Sequence, residues 1–139
     1  MELADRLRVA LDGVLPYEEE DDGALTVHHD HTFASLRVVA IAEDLEMVSL
    51  TQVLAWDLPV DTKLRNKVAR HARDTLLGTV SLVEKSAGAK RNSKKAGDVL
   101  LRYNFPGAGL TDDALRTLIL LVLGTGADIR RDLTAAPGA

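Results

Sequence analysis

The sequence contains no cysteine and only five aromatic residues in 139 positions. Without cysteine the chain has no disulfide, no thiolate metal ligand and no thiol nucleophile. Its longest apolar run is the six residues 118–123, whereas a membrane-spanning helix needs about 20. The first six residues mix charges of both signs, unlike a secretory signal. We therefore expect one globular domain over residues 1–139, in the cytoplasm and outside the membrane.

Neither charge sign is in large excess, since 21 acidic and 17 basic residues give a net charge of −4. Such a chain has no global positive field to attract nucleic acid. No G-x-S-x-G nucleophile motif occurs, and the glycines at 107 and 109 lack the lysine of a phosphate-binding loop. The sequence predicts no catalytic residue and no cofactor.

Apolar residues recur at helical spacing in three segments, 3–14, 63–77 and the stretch that follows Thr111. Asp61 or Thr62 is expected to cap the second helix, and Thr111 the third. The third helix ends near Gly124 and Gly126 or continues, bent, through Leu133, because glycine weakens a helix.

Alternating and β-branched residues predict five strands. Short connections after the first two strands indicate antiparallel pairing. The predicted fold is α+β, with an antiparallel five-stranded sheet and the element order α-β-β-β-α-β-β-α. The strands are expected at 24–29, 34–43, 46–57, 79–84 and 98–105.

Within the third strand the alternation predicts a core-facing set of side chains that includes one polar residue, Gln52. The set consists of Val48, Leu50, Gln52, Leu54 and Trp56. The opposite side of this strand is less apolar and is expected to be only partly buried.

Three segments are expected to lie outside regular structure. The consecutive acids of 17–23 predict a flexible loop, and 86–97 predicts a basic hairpin tip. The end of the chain, 134–139, is expected to be frayed.

Histidines and an acid come together in the run His28, His29, Asp30 and His31. Imidazole and carboxylate groups bind zinc and similar ions, and His29 and His31 would share one side of a strand. A small metal-dependent enzyme is therefore one alternative function. The alternative is that these residues form a polar turn with no metal, because the sequence has no metal-binding motif such as H-E-x-x-H. We predict no metal site.

Basic residues cluster in two segments, 63–73 and 85–95. These clusters make a nucleic-acid-binding regulator a further alternative. The tip lacks the interleaved aromatic residues that stack on bases, so nucleic acid is not the partner we expect.

The last helix is apolar around most of its circumference. Either the first helix covers the remaining apolar surface or a partner does so. The second possibility predicts a homodimer or a polypeptide-binding surface, helped by the outer side of the third strand. The predicted interface residues are Leu118, Ile119, Leu121, Val122, Thr51 and Val53.

The element order resembles that of type III secretion chaperone-like proteins, and within that fold the chain most resembles the YbjN family of candidate bacterial sensory transduction regulators. The stretches Phe33–Val38, Leu64–Gly78 and Leu100–Asn104 show the likeness. The resemblance implies a compact, often dimeric domain that binds polypeptide, and it transfers no active-site residue. The sequence thus favours a non-enzymatic interaction module, chaperone-like or regulatory.

Overall fold

The computed structural model describes residues 2–85 and 95–135, which form three helices and one six-stranded sheet. The helices are α1 (Leu3–Leu11), α2 (Thr62–Asp74) and α3 (Asp112–Leu133). The strands are β1 (Tyr17–Glu19), β2 (Leu25–His29), β3 (Thr32–Ala42), β4 (Leu45–Pro59), β5 (Thr79–Lys85) and β6 (Ala96–Pro106).

The sheet is antiparallel throughout, and its strands lie in the order β1-β2-β3-β4-β6-β5. The predicted α+β class and antiparallel pairing are confirmed. The number of strands differs from the prediction because the acidic segment contains β1. Tyr17 packs against the core while Glu18 and Glu19 are exposed, so a strand forms at the edge of the sheet where its charges stay in water. The prediction that 17–23 is entirely loop is therefore wrong.

The ends of α2 and α3 follow from capping side chains. Oδ1 of Asp61 accepts from the backbone N–H of Leu64 at 2.7 Å, and Oγ1 of Thr111 accepts from that of Ala114 at 3.0 Å. Each satisfies a backbone donor that has no partner within the helix. Both predicted caps are confirmed. Helix α2 ends at Asp74, three residues before the predicted end at 77.

Helix α3 continues through both glycines to Leu133. It packs on β4, β3 and β2, and α1 packs on α3 from the side. The guanidinium of Arg116 fixes this contact by donating from Nε to the backbone oxygen of Ala10 at 2.8 Å. Of the two ways to cover the apolar surface of α3, the structure therefore shows coverage by the first helix.

A buried polar side chain lies between α3 and the sheet. Gln52 is fully buried, and its Nε2 donates to Oγ1 of Thr32 at 2.9 Å and to the backbone oxygen of Leu123 at 3.1 Å. The hydroxyl of Thr32 lies 2.5 Å from the backbone oxygen of His29, to which it donates. These bonds connect the turn between β2 and β3 to the centre of the core.

Two of the remaining expectations lie partly outside the described residues. Of the predicted basic tip, 95–97 is described and Ala96 already belongs to β6, whereas 86–94 lies outside the described residues. Of the predicted frayed end, 134–135 is described and 136–139 is not. None of the helices described is both long and apolar enough to cross a membrane.

Candidate functional site: the open face of the sheet

All three helices pack against the same side of the sheet. One hydrophobic cluster joins α1, α2, α3 and the inward side chains of β2 to β6, and it includes no residue from the opposite side of the strands. We call that opposite side the open face. Its central positions are Thr26, His28, Phe33, Ser35, Arg37, Val39, Met47, Ser49, Thr51, Val53, Leu100, Arg102 and Asn104, with Glu18 at one edge and Thr79, Ser81, Val83 and Asp98 near the other.

Two apolar rows cross the open face. In one row Phe33 pairs with Val53, and Val53 pairs with Leu100. In the other row Val39 pairs with Met47, six residues further along β3 and therefore about 20 Å away. Large apolar side chains exposed in neighbouring strands are typical of a protein-binding surface.

A polar row lies between the two apolar rows and crosses all six strands. Its members are register partners, and four of them carry hydroxyl groups. We call it the hydroxyl row: Glu18, Thr26, Ser35, Thr51, Arg102 and Thr79.

An aromatic corner, which we define as Phe33, Trp56 and Arg130, lies at the end of the sheet where the open face meets the side covered by α3. The two aromatic rings are 5.9 Å apart between centroids, and the guanidinium of Arg130 lies 5.3 Å from the centre of the Trp56 ring. Arg130 is fixed because its Nη1 donates to the backbone oxygen of Leu54 at 2.8 Å. A shallow groove of about 660 Å³ runs from this corner to the histidine turn. Trp and Arg are the residue types enriched where interfaces bind most tightly.

The exposure of Trp56 corrects a sequence prediction. Strict alternation predicts Trp56 on the core side with Gln52, but the register of β4 against β6 shifts between Val53 and Ala55 and again before Leu58. Trp56 is consequently 48% exposed. A β-bulge that interrupts alternation leaves no clear signal in the sequence, and the positive φ of Asp57 marks the distortion only in the structure.

Most charges near the open face are paired. Nη1 of Arg37 lies 2.6 Å from Oδ2 of Asp22, and this contact is the main reason that the pKa of Asp22 is lowered. Nζ of Lys85 lies 2.6 Å from Asp57 and 2.8 Å from Asp98, and it lowers the pKa of Asp98. These exposed contacts leave little net charge for a partner to recognise.

Two charged side chains on the hydroxyl row behave differently. In the part of the chain that the structure describes, Glu18 and Arg102 form no ion pair. Both residues are exposed. Sequence analysis missed them because their relation depends on strand order, and no local pattern connects residues 18 and 102.

The histidine cluster lies at a turn. Asp30 and His31 have φ angles of 50° and 67°, as in a two-residue type I′ hairpin that joins β2 to β3. His31 is therefore not a strand residue, and it does not share a strand side with His29 as the metal hypothesis requires. Within residues 2–85 and 95–135, no three His, Asp or Glu side chains come together as a metal site. The absence of a bound metal stays a prediction.

The six predicted interface residues divide between the core and the surface. Ile119 and Val122 are fully buried within the chain, so the expectation that they form an interface is corrected. Leu121 is 56% exposed, and Leu118 is partly buried against the core. Thr51 and Val53 lie on the open face. The apolar surface available to a partner is therefore on the sheet, and α3 contributes little to it.

Most basic residues of α2 form hydrogen bonds or ion pairs within the described part of the chain. Arg65 pairs with Glu84 at 2.8 Å, and Arg73 pairs with Asp74 at 3.0 Å. Arg70 lies 2.7 Å from Asp132, whose backbone oxygen accepts from Nζ of Lys67 at 2.9 Å. Because local acids pair with three of the five lysines and arginines of 63–73, the structure gives little support to a nucleic-acid surface on this segment. Most of the other basic segment, 85–95, is outside the described residues.

Comparison with known proteins identifies the class of fold. The chain is similar in structure to a bacterial protein of known crystal structure, and the likeness extends over nearly the whole of both chains. That protein is YbjN from E. coli, which is described as a candidate transcription regulator. The TM-score is 0.60 at 13% sequence identity, over 94% of this chain and 90% of YbjN. No family model matches the sequence, and no curated protein matches it. The predicted resemblance is thus confirmed for the fold.

Proposed function

We propose that this protein is a non-enzymatic interaction module, chaperone-like or regulatory, that binds polypeptide on the open face of its sheet. The observation that supports the proposal is one-sided coverage: the helices bury one side of the sheet, while the other exposes Phe33 and Val39 by about two fifths. The likeness to YbjN supports a regulatory or interaction role at the level of fold.

The composition of the open face favours protein over nucleic acid. Its two rows are mainly aliphatic, and Arg37 is already neutralised by Asp22. A surface that binds single-stranded nucleic acid combines aromatic platforms with several free cations along a groove. A metal-dependent enzyme is not proposed, because the histidine turn brings no third ligand into place among the described residues.

Two valine substitutions test the proposal because they change the same residue type on opposite sides of the molecule. Val39 on the open face is 41% exposed, and Val9 on α1 is 43% exposed. Val39→Glu should abolish binding, since a carboxylate would be desolvated in the interface. Val9→Glu should leave binding unchanged, because Val9 faces solvent on the helical side.

Binding is measured in two ways, by sedimentation at tens of micromolar and by selection from a random peptide library displayed on phage. The proposal requires that wild-type protein either self-associates or enriches peptides, and that Val39→Glu removes the effect while melting cooperatively. The open face is not a binding surface if the wild-type protein neither self-associates nor enriches peptides. The same conclusion follows if Val39→Glu and Val9→Glu bind equally well.

A further inference from the structure

The groove at the aromatic corner has the composition of a small-molecule site. We propose that it binds a small molecule that combines a flat aromatic ring with an anionic group, either a phosphate or a carboxylate. The groove lies at the histidine turn, where side chains from β2, β3, β4 and α3 line it. It borders the open face and shares His28 and Phe33 with it. The inference goes beyond the proposed function, because the occupant is a small molecule rather than a polypeptide.

The first observation is a distorted strand that brings Trp56 to the surface. The register of β4 against β6 shifts twice around this residue, and the next residue, Asp57, has a φ of 55°. Trp56 is consequently 48% exposed, although it is the only tryptophan of the chain and would otherwise be a core residue. Bulges that redirect a side chain are frequent beside functional sites.

The second observation is a row of flat groups along the groove. The guanidinium of Arg130 lies 5.3 Å from the centre of the Trp56 ring, and the rings of Trp56 and Phe33 are 5.9 Å apart. The ring of His28 follows, 6.5 Å from that of Phe33. Because the rings of Phe33 and Trp56 are inclined by 55°, neither covers the other, and each is at least two fifths exposed. Open aromatic surfaces of this kind bind a flat ring by stacking.

The third observation is the charge of the groove. Nη1 of Arg130 donates to the backbone oxygen of Leu54, and its other N–H groups have no acceptor among the residues described. Asp30 is the one acid that lines the groove in the described chain, and Arg131 compensates it at 3.0 Å. Three histidines also line the groove: His28, His29 and His31. A guanidinium without an acid partner attracts an anion and repels a cation, so the ligand carries negative charge.

The dimensions suit a small ligand. The volume of about 660 Å³ lies within the range of about 300–1,000 Å³ that is typical of small-molecule sites. In a nucleoside monophosphate or an arylacetate, a few bonds separate the ring from the anionic group. This separation matches the short distance between the Trp56 ring and the guanidinium of Arg130.

The single tryptophan provides the measurement. The indole N–H of Trp56 gives one signal in its region of a proton–nitrogen correlation spectrum, because the chain has no other tryptophan. Adenosine monophosphate or indoleacetate should shift this signal in a saturable way, and the two probes distinguish a phosphate-bearing ligand from a carboxylate-bearing one. Adenosine and indole lack the anionic group and should bind about tenfold more weakly, or less, than their charged counterparts.

Substitutions of charged residues test the anion contact. Arg130→Gln should weaken binding about tenfold or more. Arg8→Gln makes the same change of charge on α1 and should leave binding unchanged. Asp30→Asn should strengthen binding about threefold, because it removes an acid from the groove. Asparagine tolerates the φ of 50° at this position, so this variant is expected to fold.

Two sets of results would overturn the inference. In one, neither probe gives a saturable shift at millimolar concentration, or the charged and uncharged probes bind equally. In the other, the probes bind but Arg130→Gln and Asp30→Asn leave the affinity unchanged while both variants melt cooperatively.

The same measurements separate this inference from the proposed function. Val39 lies about 20 Å from Phe33 along β3, so Val39→Glu should bind the probes as wild type does. If phage-selected peptides shift the Trp56 signal while neither probe does, the aromatic corner belongs to the polypeptide surface. The proposed function would then stand, and the small-molecule site would be refuted.

Discussion

Gly126 of α3 lies directly against the side chain of Gln52. A Cβ at position 126 would overlap Oε1 of Gln52, so the helix crosses β4 at this point only because residue 126 has no side chain. Oε1 accepts no hydrogen bond from the described residues, while both amide hydrogens are used. The close approach allows Nε2 to reach the backbone oxygen of Leu123.

Gly126→Ala should destabilise the protein by about 1–3 kcal/mol, because the added methyl group forces Gln52 or the helix to move. Gly124→Ala is the matched control in the same helix, with no atom within 4 Å of the added Cβ. It should raise stability by up to about 1 kcal/mol, since alanine favours the helix. Urea unfolding measures both changes. Equal effects at the two positions would contradict the packing described here.

Thr32→Val should lower the free energy of unfolding by about 1–3 kcal/mol, although valine has the same shape as threonine. The hydroxyl of Thr32 accepts from Gln52 and donates to the backbone oxygen of His29, and its loss leaves buried polar groups without partners. Thr26→Val is the control, because among the described residues the hydroxyl of Thr26 bonds only to Glu20, at an exposed site. Thermal unfolding should separate the two variants by several degrees, and indistinguishable melting temperatures would refute the role given to Thr32.

Arg6→Lys should destabilise the protein by about 1–2 kcal/mol. The guanidinium of Arg6 bonds at once to Asp112 at 3.0 Å, to the backbone oxygen of Gly107 at 3.2 Å and to that of Leu110. Lysine cannot reproduce this forked geometry. Arg8→Lys on the same helix should change stability by less than about 0.5 kcal/mol, because Arg8 forms more exposed ion pairs. A larger loss from Arg8→Lys would contradict this ranking.

Asp132→Asn should destabilise the protein near neutral pH and lose this effect in acid. The pKa of Asp132 is lowered, chiefly by the hydrogen bond with Nε2 of His71 at 2.7 Å and further by Lys67 and Arg70. A carboxylate whose pKa is lower in the folded state than in the unfolded state stabilises the fold. The stabilisation is complete at pH values above the unfolded-state pKa, and it is lost as the pH falls through the folded-state pKa. The difference in urea midpoint between wild type and Asp132→Asn should therefore shrink below about pH 4. A constant difference between pH 6 and pH 3 would exclude this linkage.

Local patterns in the sequence predicted most elements of the fold. Alternation of apolar and polar residues locates β2 to β6, and helical spacing of apolar residues locates α1 to α3. Each of these elements buries one side, so its apolar residues recur at the period of a strand or of a helix. Segment 17–19 does not stand out in the sequence, because it is a three-residue edge strand with one apolar residue, Tyr17, followed by two acids. Such a short segment shows no alternation. The position of Trp56 was wrong because a bulge changes the side to which a strand residue points.

The candidate site was less predictable than the fold. Local alternation assigns Thr51 and Val53 to the partly buried outer side of the third strand, and the structure confirms this side as the open face. The apolar residues around α3 predicted an interface, yet α1 and the sheet bury most of them, because periodicity does not show how many neighbours a helix has. The relation between Glu18 and Arg102 requires the strand order, in which β6 lies between β4 and β5, and no composition or spacing specifies that order.

This strand order also affects how the chain folds. Strand β4 pairs with β6 along its length, joining Met47 to Pro106 and Val53 to Leu100 across about fifty residues of sequence. During synthesis the meander from β1 to β4 can form early, but one edge of its longest strand has no neighbour until the chain beyond residue 106 has emerged. Non-local pairing of this kind slows folding, and an unpaired strand edge is a site for association with other chains. The nascent protein is therefore most vulnerable to aggregation in the interval between completing β4 and adding β6.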